Sequence, residues 1–201
     1  MIRRLAQTSV VSATVAAALV LAACGASAPD TAGRSATDAA GTAVPATAAL
    51  DPCPGSRPSS QARGDGLPDV RLPCLGEGPD VRMAGLAGTP RLVNVWASWC
   101  PPCRTELPWL QAVYLDGVDV LGVDAEDQPD SAAGLLDALA VTFPSVSDPS
   151  NEFARAIGIP AKPTTLFVSE DGEIVHVQVG PFASEADVRR QVARYLGVGT
   201  P

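Results

Sequence analysis

The chain has 201 residues, and its 22 Asp and Glu against 14 Lys and Arg give a formal net charge of −8 at pH 7. This acidic balance argues against a nucleic-acid-binding protein, because recognition of phosphates relies on clustered Lys and Arg side chains. The 19 prolines and 18 glycines exclude a coiled coil or a plain helix bundle, since both residue types interrupt long helices. The length fits one domain with an extension.

The N-terminal segment has the composition of a secretory signal. Arg3 and Arg4 precede an uncharged stretch in which residues 10–23 are mostly Val, Ala and Leu, an order typical of an export signal. The tripeptide Leu-Ala-Ala before Cys24 resembles a bacterial lipobox, which implies cleavage before Cys24 and a diacylglycerol on its sulfur. The alternatives are a plain signal peptide with a chance cysteine and an uncleaved anchor, for which the apolar stretch is short.

This composition predicts three parts: a lipoprotein signal peptide at residues 1–23, a flexible tether at 24–65 and a folded domain at 66–201. Residues 25 to about 50 are mainly Ala, Ser, Thr, Gly, Pro and Asp. Such a segment has too few large apolar side chains to offset the entropy that folding costs, so we expect it to be a tether.

The folded part has the pattern of an α/β domain. Its predicted elements are a strand at 91–97, a helix at 101–115, a strand at 118–123, helices at 130–141 and 151–157, strands at 164–168 and 174–179, and a helix from 184 to about 196. The Asp-Gly pair between the last two strands is a strong hairpin signal, and Ser184 with Asp187 resembles a capping box. This order fits a central sheet with helices on both faces.

The chemistry lies in the Cys-Pro-Pro-Cys sequence at the start of the first helix. Cys100 lies at or near the helix N-cap, where backbone N–H groups and the helix dipole stabilise a thiolate. Pro101 suits the first turn because it has no N–H to leave unpaired. Cys103, almost one turn further, is placed to resolve a mixed disulfide, so Cys100 is the predicted nucleophile. The alternatives are an inert disulfide or a zinc site, which usually needs a second close cysteine pair.

Two longer segments carry a family resemblance. Residues 92–108 read LVNVWASWCPPCRTELP, and residues 157–167 read IGIPAKPTTLF, followed by DGEI at 171–174. They resemble the thioredoxin superfamily and, within it, the membrane-tethered TlpA/ResA-like thiol-disulfide oxidoreductases. The resemblance covers roughly residues 66–196. It implies a thioredoxin-like fold with a central mixed sheet flanked by helices on both faces, and no cofactor or metal.

The resemblance also implies roles for two further residues. Pro163 is expected to be a cis-proline that faces the dithiol and shapes a peptide-binding groove; the alternative is an ordinary trans proline that opens a strand. Glu106, three residues after Cys103, is expected to assist proton transfer; the alternative is a solvated acid near the positive end of the helix. Asn94 stands where thioredoxin itself has a buried aspartate, and we expect it to form hydrogen bonds in the core.

Four other residues complete the candidates. With Cys24 set aside, four cysteines remain, and an even number in an exported chain suggests pairing. If Cys100 pairs with Cys103, Cys53 is left with Cys74 as a structural disulfide; the alternative is a second redox pair. Lys162 precedes Pro163 and is expected to point its amine to solvent; the alternative is that its positive charge lies near Cys100 and favours the thiolate. His176 is the only histidine and is expected to be structural.

The function that these residues predict is a thiol-disulfide oxidoreductase, lipid-anchored on the extracytoplasmic face of the bacterial cell membrane, or secreted if the lipobox is not used. Its partners are cysteines of exported thiol or disulfide proteins, with apocytochrome c as a candidate client and a membrane thiol carrier as a candidate electron partner. The alternatives are a copper chaperone on the same fold and a non-catalytic binding lipoprotein.

Overall fold

The computed structural model describes residues 49–57 and 64–198, all of which belong to one compact unit spanning residues 42–201. The predicted signal peptide, Cys24 and most of the predicted tether lie outside the described residues. The strands are β1 (Arg71–Leu72), β2 (Val81–Arg82), β3 (Arg91–Trp96), β4 (Asp119–Ala125), β5 (Ser145–Asp148), β6 (Thr164–Val168) and β7 (Ile174–Val179). The α-helices are α1 (Pro101–Leu115), α2 (Pro129–Ala138), α3 (Glu152–Ala156) and α4 (Glu185–Tyr195).

Strand β3 is the centre of a mixed five-stranded sheet with the order β5–β4–β3–β6–β7. It pairs in parallel with β4, which pairs in parallel with β5, and antiparallel with β6, which pairs antiparallel with β7. All six residues of β3 are buried, as expected for a strand covered on both faces. The predicted mixed sheet is therefore confirmed.

The two faces of the sheet carry two separate apolar cores. Side chains alternate between faces along a strand, so Leu92 and Trp96 pack with α1 and α4, whereas Val93 and Val95 pack with α3 and the N-terminal segments. Helix α2 joins the first core through buried Ala132 and Leu136. Helices thus cover both faces, and α1 is held against the sheet beside the end of β3.

Several boundaries differ from the sequence-based expectation. Strand β5 was not predicted, because its sequence Ser-Val-Ser-Asp lacks an apolar alternation. Backbone pairing forms it instead: Leu75 N–H donates to the Ser145 oxygen (2.8 Å) and Ser147 N–H donates to the Pro73 oxygen (2.9 Å). Helix α2 ends at Ala138 and not at 141, since Ala140 adopts a left-handed φ of 52° that ends the helix.

The compact domain begins earlier than residue 66, because residues 49–57, assigned above to the tether, pack against it. Leu50 is buried in the α1 core, and Asp51 N–H donates to the Thr142 oxygen at 2.7 Å. The Tyr114 hydroxyl donates to the Asp51 carboxylate, also at 2.7 Å. A disulfide joins Cys53 to Cys74 with a Cα–Cα distance of 6.0 Å. The buried Leu50 and this covalent bond attach residues 49–57 to the domain.

Among the residues that the structure describes, no helix has the length and apolarity that crossing a membrane requires.

The Cys53–Cys74 disulfide closes a loop with a sequence separation of 21, so we expect it to raise the free energy of unfolding by about 3 kcal/mol through loss of unfolded-chain entropy. The test is urea unfolding of a Cys100→Ser/Cys103→Ser variant, in which this is the only disulfide among the described residues, with and without dithiothreitol. Adding Cys53→Ser and Cys74→Ser gives the matched control, whose stability should not respond to dithiothreitol. Equal stability of the oxidised and reduced forms would contradict the prediction.

Candidate active site

The two cysteines lie where the central strand passes into the first long helix. After β3 ends at Trp96, three residues, 97–99, lead to Cys100, which is the N-cap of α1 with extended backbone angles. Cys100 and Cys103 are joined by a disulfide with a Cα–Cα distance of 5.3 Å. Cys100 is 3% exposed and Cys103 is 1% exposed, so the protein has shielded both sulfurs in the oxidised state.

The first turn of α1 has few free donors, and one of them points at sulfur. Pro101 and Pro102 occupy the first two helical positions and carry no N–H. The first N–H of the helix is therefore that of Cys103, and it donates to Cys100 Sγ at 3.3 Å. The next, from Arg104, donates to the Cys100 carbonyl oxygen at 3.3 Å. Upon reduction, this donor and the helix dipole favour the thiolate at Cys100 over the thiol.

Glu106 is buried beneath α1 and is not the solvated acid that one interpretation of the sequence predicted. It is 1% exposed, and its carboxylate accepts hydrogen bonds from Asn94 Nδ2 (2.8 Å) and from the Phe182 N–H (2.9 Å). Burial raises the pKa of Glu106 to about 7, although these two hydrogen bonds act in the opposite direction. Near neutral pH the protonated and the ionised forms of this carboxyl group are therefore both populated.

Asn94 lies in the core, as predicted, and connects Glu106 to the sheet. Its amide also donates to Thr165 Oγ1 at 2.9 Å. The neutral amide thus supplies two donors to a site where a second acid would repel Glu106. Neither Thr165 nor Phe182 was among the candidate residues, because their roles depend on strand pairing and on a loop that is remote in sequence.

Pro163 follows a cis peptide bond after Lys162. Thr164, the next residue, pairs with Val95 of β3, which places Pro163 at the level of the last residue of that strand. Its carbonyl oxygen accepts a hydrogen bond from Gly180 N–H at 2.9 Å. Pro163 therefore lies at the same end of the sheet as the cysteine turn.

The expectation that Lys162 points to solvent is wrong. Its Nζ lies 2.6 Å from Glu126 Oε2 and 5.6 Å from the centroid of the Trp99 ring. The attraction of a carboxylate and of an aromatic face holds the ammonium against the protein.

Two acids at the end of β4 were missed by the sequence analysis. Asp127 accepts hydrogen bonds from Ser98 N–H and from Gln128 N–H. Burial acts to raise the pKa of Asp127, but these bonds outweigh it and leave that pKa below its ordinary value. Asp124 is fully buried, and burial followed by the negative charge of Asp127 raises its pKa to about 8. The sequence signal for Asp124 and Asp127 is that acidic residues come directly after a buried apolar strand.

His176 packs away from the cysteine turn. Its ring stacks on Tyr195 with centroids 3.8 Å apart and lies 5.3 Å from Phe167. Within residues 49–57 and 64–198, no group of three or more His, Cys, Asp or Glu side chains is arranged to hold a metal ion.

Comparison with known proteins gives consistent matches. The Redoxin family model matches residues 62–193. The chain is 34% identical over 139 residues to the thiol:disulfide interchange protein HelX of Rhodobacter capsulatus, covering 68% of this chain and 78% of HelX. It is 32% identical over 124 residues to the thiol-disulfide oxidoreductase ResA of Oceanobacillus iheyensis, covering 58% of this chain and 65% of ResA.

A solved structure agrees with these relatives. The thiol:disulfide interchange protein of the thioredoxin family from Chlorobium tepidum superimposes with a TM-score of 0.57 and 28% identity, over 68% of this chain and 99% of that one. The family model covers more than half of the chain, and the cysteine pair lies at the start of α1 on a thioredoxin-like sheet. The chain therefore belongs to the Redoxin family and is a thiol-disulfide oxidoreductase of the ResA and HelX type.

Proposed function

We propose that this oxidoreductase acts outside the cytoplasm on cysteines of exported proteins, held by a lipid on Cys24 at the outer face of the bacterial cell membrane. The export-type composition of residues 1–23 and the Leu-Ala-Ala-Cys sequence support this placement. The two disulfides in the described residues are typical of an oxidising compartment. Without use of the lipobox the protein is secreted.

The observation that carries the reaction is the hydrogen bond from Cys103 N–H to Cys100 Sγ at the helix N-terminus. In the reduced protein the Cys100 thiolate attacks a client disulfide, forms a mixed disulfide and releases one client thiolate. The Cys103 thiolate then attacks the Cys100 sulfur and releases the second client thiolate. The client gains two electrons and two protons, and the protein pair is oxidised to the disulfide seen here. The same steps run backwards when the client is the dithiol.

Glu106 is the proposed proton carrier for Cys103. The two residues are three positions apart on α1 and therefore neighbours on its buried face. Cys103 must lose its proton before it can attack, and a carboxyl group with a pKa of about 7 is matched to that task at neutral pH. The cis-proline Pro163 lies at the same sheet end and is the proposed wall of the groove that binds the client backbone.

The client class follows from the resemblance to TlpA/ResA-like proteins. Apocytochrome c is the candidate client, and a quinone-linked membrane thiol carrier is the candidate source or acceptor of electrons. The redox potential of the Cys100–Cys103 pair against that of the compartment decides the direction.

Cysteine variants test the assignment of attacking and resolving thiol. A Cys103→Ser variant is expected to accumulate a mixed disulfide between Cys100 and a client, because nothing resolves it. A Cys100→Ser variant is expected to form no adduct and to reduce no insulin. Non-reducing electrophoresis with peptide mapping locates the adduct. An adduct on Cys103 in the Cys100→Ser protein, with normal turnover, would reverse the assignment.

A Pro102→Ala variant adds an N–H at the second helical position, which is one of the two donors that an N-cap side chain accepts. We expect the pKa of the Cys100 thiol to fall by about one unit, since a charge-assisted hydrogen bond favours the thiolate. The measurement is the ultraviolet absorbance of the thiolate against pH in a Cys103→Ser background. Pro108→Ala, an exposed proline further along α1, is the matched control and should leave the titration unchanged. An unchanged Pro102→Ala titration would mean that the second position does not face the sulfur.

A Glu106→Gln variant should lower turnover by about tenfold or more, because the proton carrier is lost, and should remove an inflection near pH 7 from the rate profile.

The same variant should also flatten the pH dependence of the free energy of unfolding. The pKa of Glu106 in the fold, about 7, lies above its ordinary 4.5, so its stabilising contribution is complete below pH 4.5 and is lost as the pH rises through 7. Rate profiles and urea unfolding between pH 4 and 8 measure both effects.

The matched control is Glu170→Gln, an exposed glutamate in the β6–β7 turn, which should change neither profile. Unaltered turnover in Glu106→Gln would remove this residue from the mechanism and leave it as a structural acceptor for Asn94 and Phe182.

A further inference from the structure

Three segments that are remote in sequence meet at the side of the cysteine turn. Trp99, the residue before Cys100, donates from its indole Nε1 to the Glu126 backbone oxygen at 2.9 Å. The Glu126 carboxylate binds Lys162 Nζ at 2.6 Å, and the same ammonium lies 5.6 Å from the centre of the Trp99 ring. The three residues therefore form a closed set of contacts, which we call the Trp99–Glu126–Lys162 triad.

The burial of the triad is unequal. The Lys162 side chain is 9% exposed, while that of Glu126 is 50% exposed and Trp99 is 57% exposed. Lysine normally extends its ammonium into water, so the inward position of Lys162 shows that these contacts hold it. An ion pair with one exposed partner contributes little to the free energy of unfolding. The effect of the Lys162–Glu126 pair is therefore on the position of the side chains that it joins.

The backbone of Glu126 supports the same interpretation. Its φ of 57° is left-handed, a conformation that is uncommon for non-glycine residues. In this conformation the residue presents its carbonyl oxygen to Trp99 and its carboxylate to Lys162. One residue of the β4–α2 connection thus contacts both the residue before the nucleophile and the residue before the cis-proline.

We propose that the Lys162–Glu126 ion pair is a positioning device that fixes the Trp99 ring and the Pro163 loop relative to each other, and that protein clients require this arrangement whereas small disulfides do not. This inference rests on the proposed function of Cys100 as the attacking thiol.

The physical reason is the size of what must be bound. A small disulfide needs only to reach the Cys100 sulfur, whose thiolate form the hydrogen bond from Cys103 N–H favours. A protein client brings an extended segment that has to lie against surfaces on both sides of that sulfur. Without the ion pair, the Trp99 ring and the Pro163 loop are no longer fixed relative to each other. Part of the binding free energy of the client is then used to order these two surfaces.

Other charges face Lys162 and have to be separated from the effect of Glu126. The positive charge of Lys162 acts to lower the raised pKa of the buried Asp124, beside which Asp127 and Asp148 also lie. Arg155 acts with Lys162 to hold the pKa of Glu126 below its ordinary value. Replacing Lys162 therefore changes its interactions with Glu126, with the Trp99 ring and with Asp124. Glu126→Gln removes the ion pair and the attraction of Arg155, and it keeps the backbone contact to Trp99.

The experiment compares two substrates for each variant. Turnover of insulin, as the protein disulfide, and of glutathione disulfide is measured for the full mature chain and for Lys162→Met and Glu126→Gln. We expect kcat/KM for insulin to fall by about tenfold, mostly through KM, while the rate with glutathione disulfide stays within about twofold. The reversed pair, Lys162→Glu with Glu126→Lys, should recover part of the insulin activity.

The matched control is Arg190→Met, which removes an exposed ion pair of 2.9 Å to Asp187 on α4 and should change neither rate. A second readout is acrylamide quenching of Trp99 fluorescence in a Trp109→Phe background, where Trp96 is fully buried. Glu126→Gln should increase the quenching of Trp99, as the ring is held less firmly.

An equal fall with both substrates would overturn the proposal, because the ion pair would then act on the dithiol itself. Unchanged rates with both substrates would also overturn it. Failure of the proposed function has a different signature: the parent protein would turn over neither substrate, or the Cys100→Ser variant would remain active.

Discussion

A hydrogen bond from the first N–H of a helix to a sulfur atom is the interaction around which this molecule is organised. It requires that β3 end at Trp96 and that α1 begin with Cys100 as its N-cap. Pro101 and Pro102 have no N–H, so the N–H of Cys103 is the first helical donor from which Cys100 Sγ can accept. The sheet, with apolar cores on both faces, holds the strand and helix in the relative position that makes this contact.

Two buried carboxyl groups of the domain have raised pKa values. Glu106 lies under α1 and Asp124 at the end of β4, each nearly or fully buried. Burial raises the pKa of both, to about 7 and about 8. Each of these two groups therefore holds its proton to a higher pH than an exposed acid does.

The sequence was most informative where one local rule decided the outcome. The strand into Trp96, the helix from Pro101 to Leu115 and the hairpin of β6 and β7 were predicted at or within one residue of their bounds, because hydrophobic period and turn chemistry agree there. Strand β5 was missed because backbone pairing and not side-chain pattern creates it. Likewise, the burial of Glu106 depends on Phe182, which is 76 positions away, and the position of Lys162 depends on Glu126. Contacts of that kind are set by topology and leave no trace in a local window.

The attachment of residues 49–57 fixes where the polypeptide enters the domain. Asp51 is bound by Tyr114 near the C-terminal end of α1 and by Thr142 ahead of β5, whereas the sulfurs lie at the opposite end of α1. A helix of 15 residues is about 22 Å long, so the contacts of Asp51 and the two sulfurs lie about one helix length apart. The described chain therefore enters the domain at the end of α1 that lies away from Cys100 and Cys103.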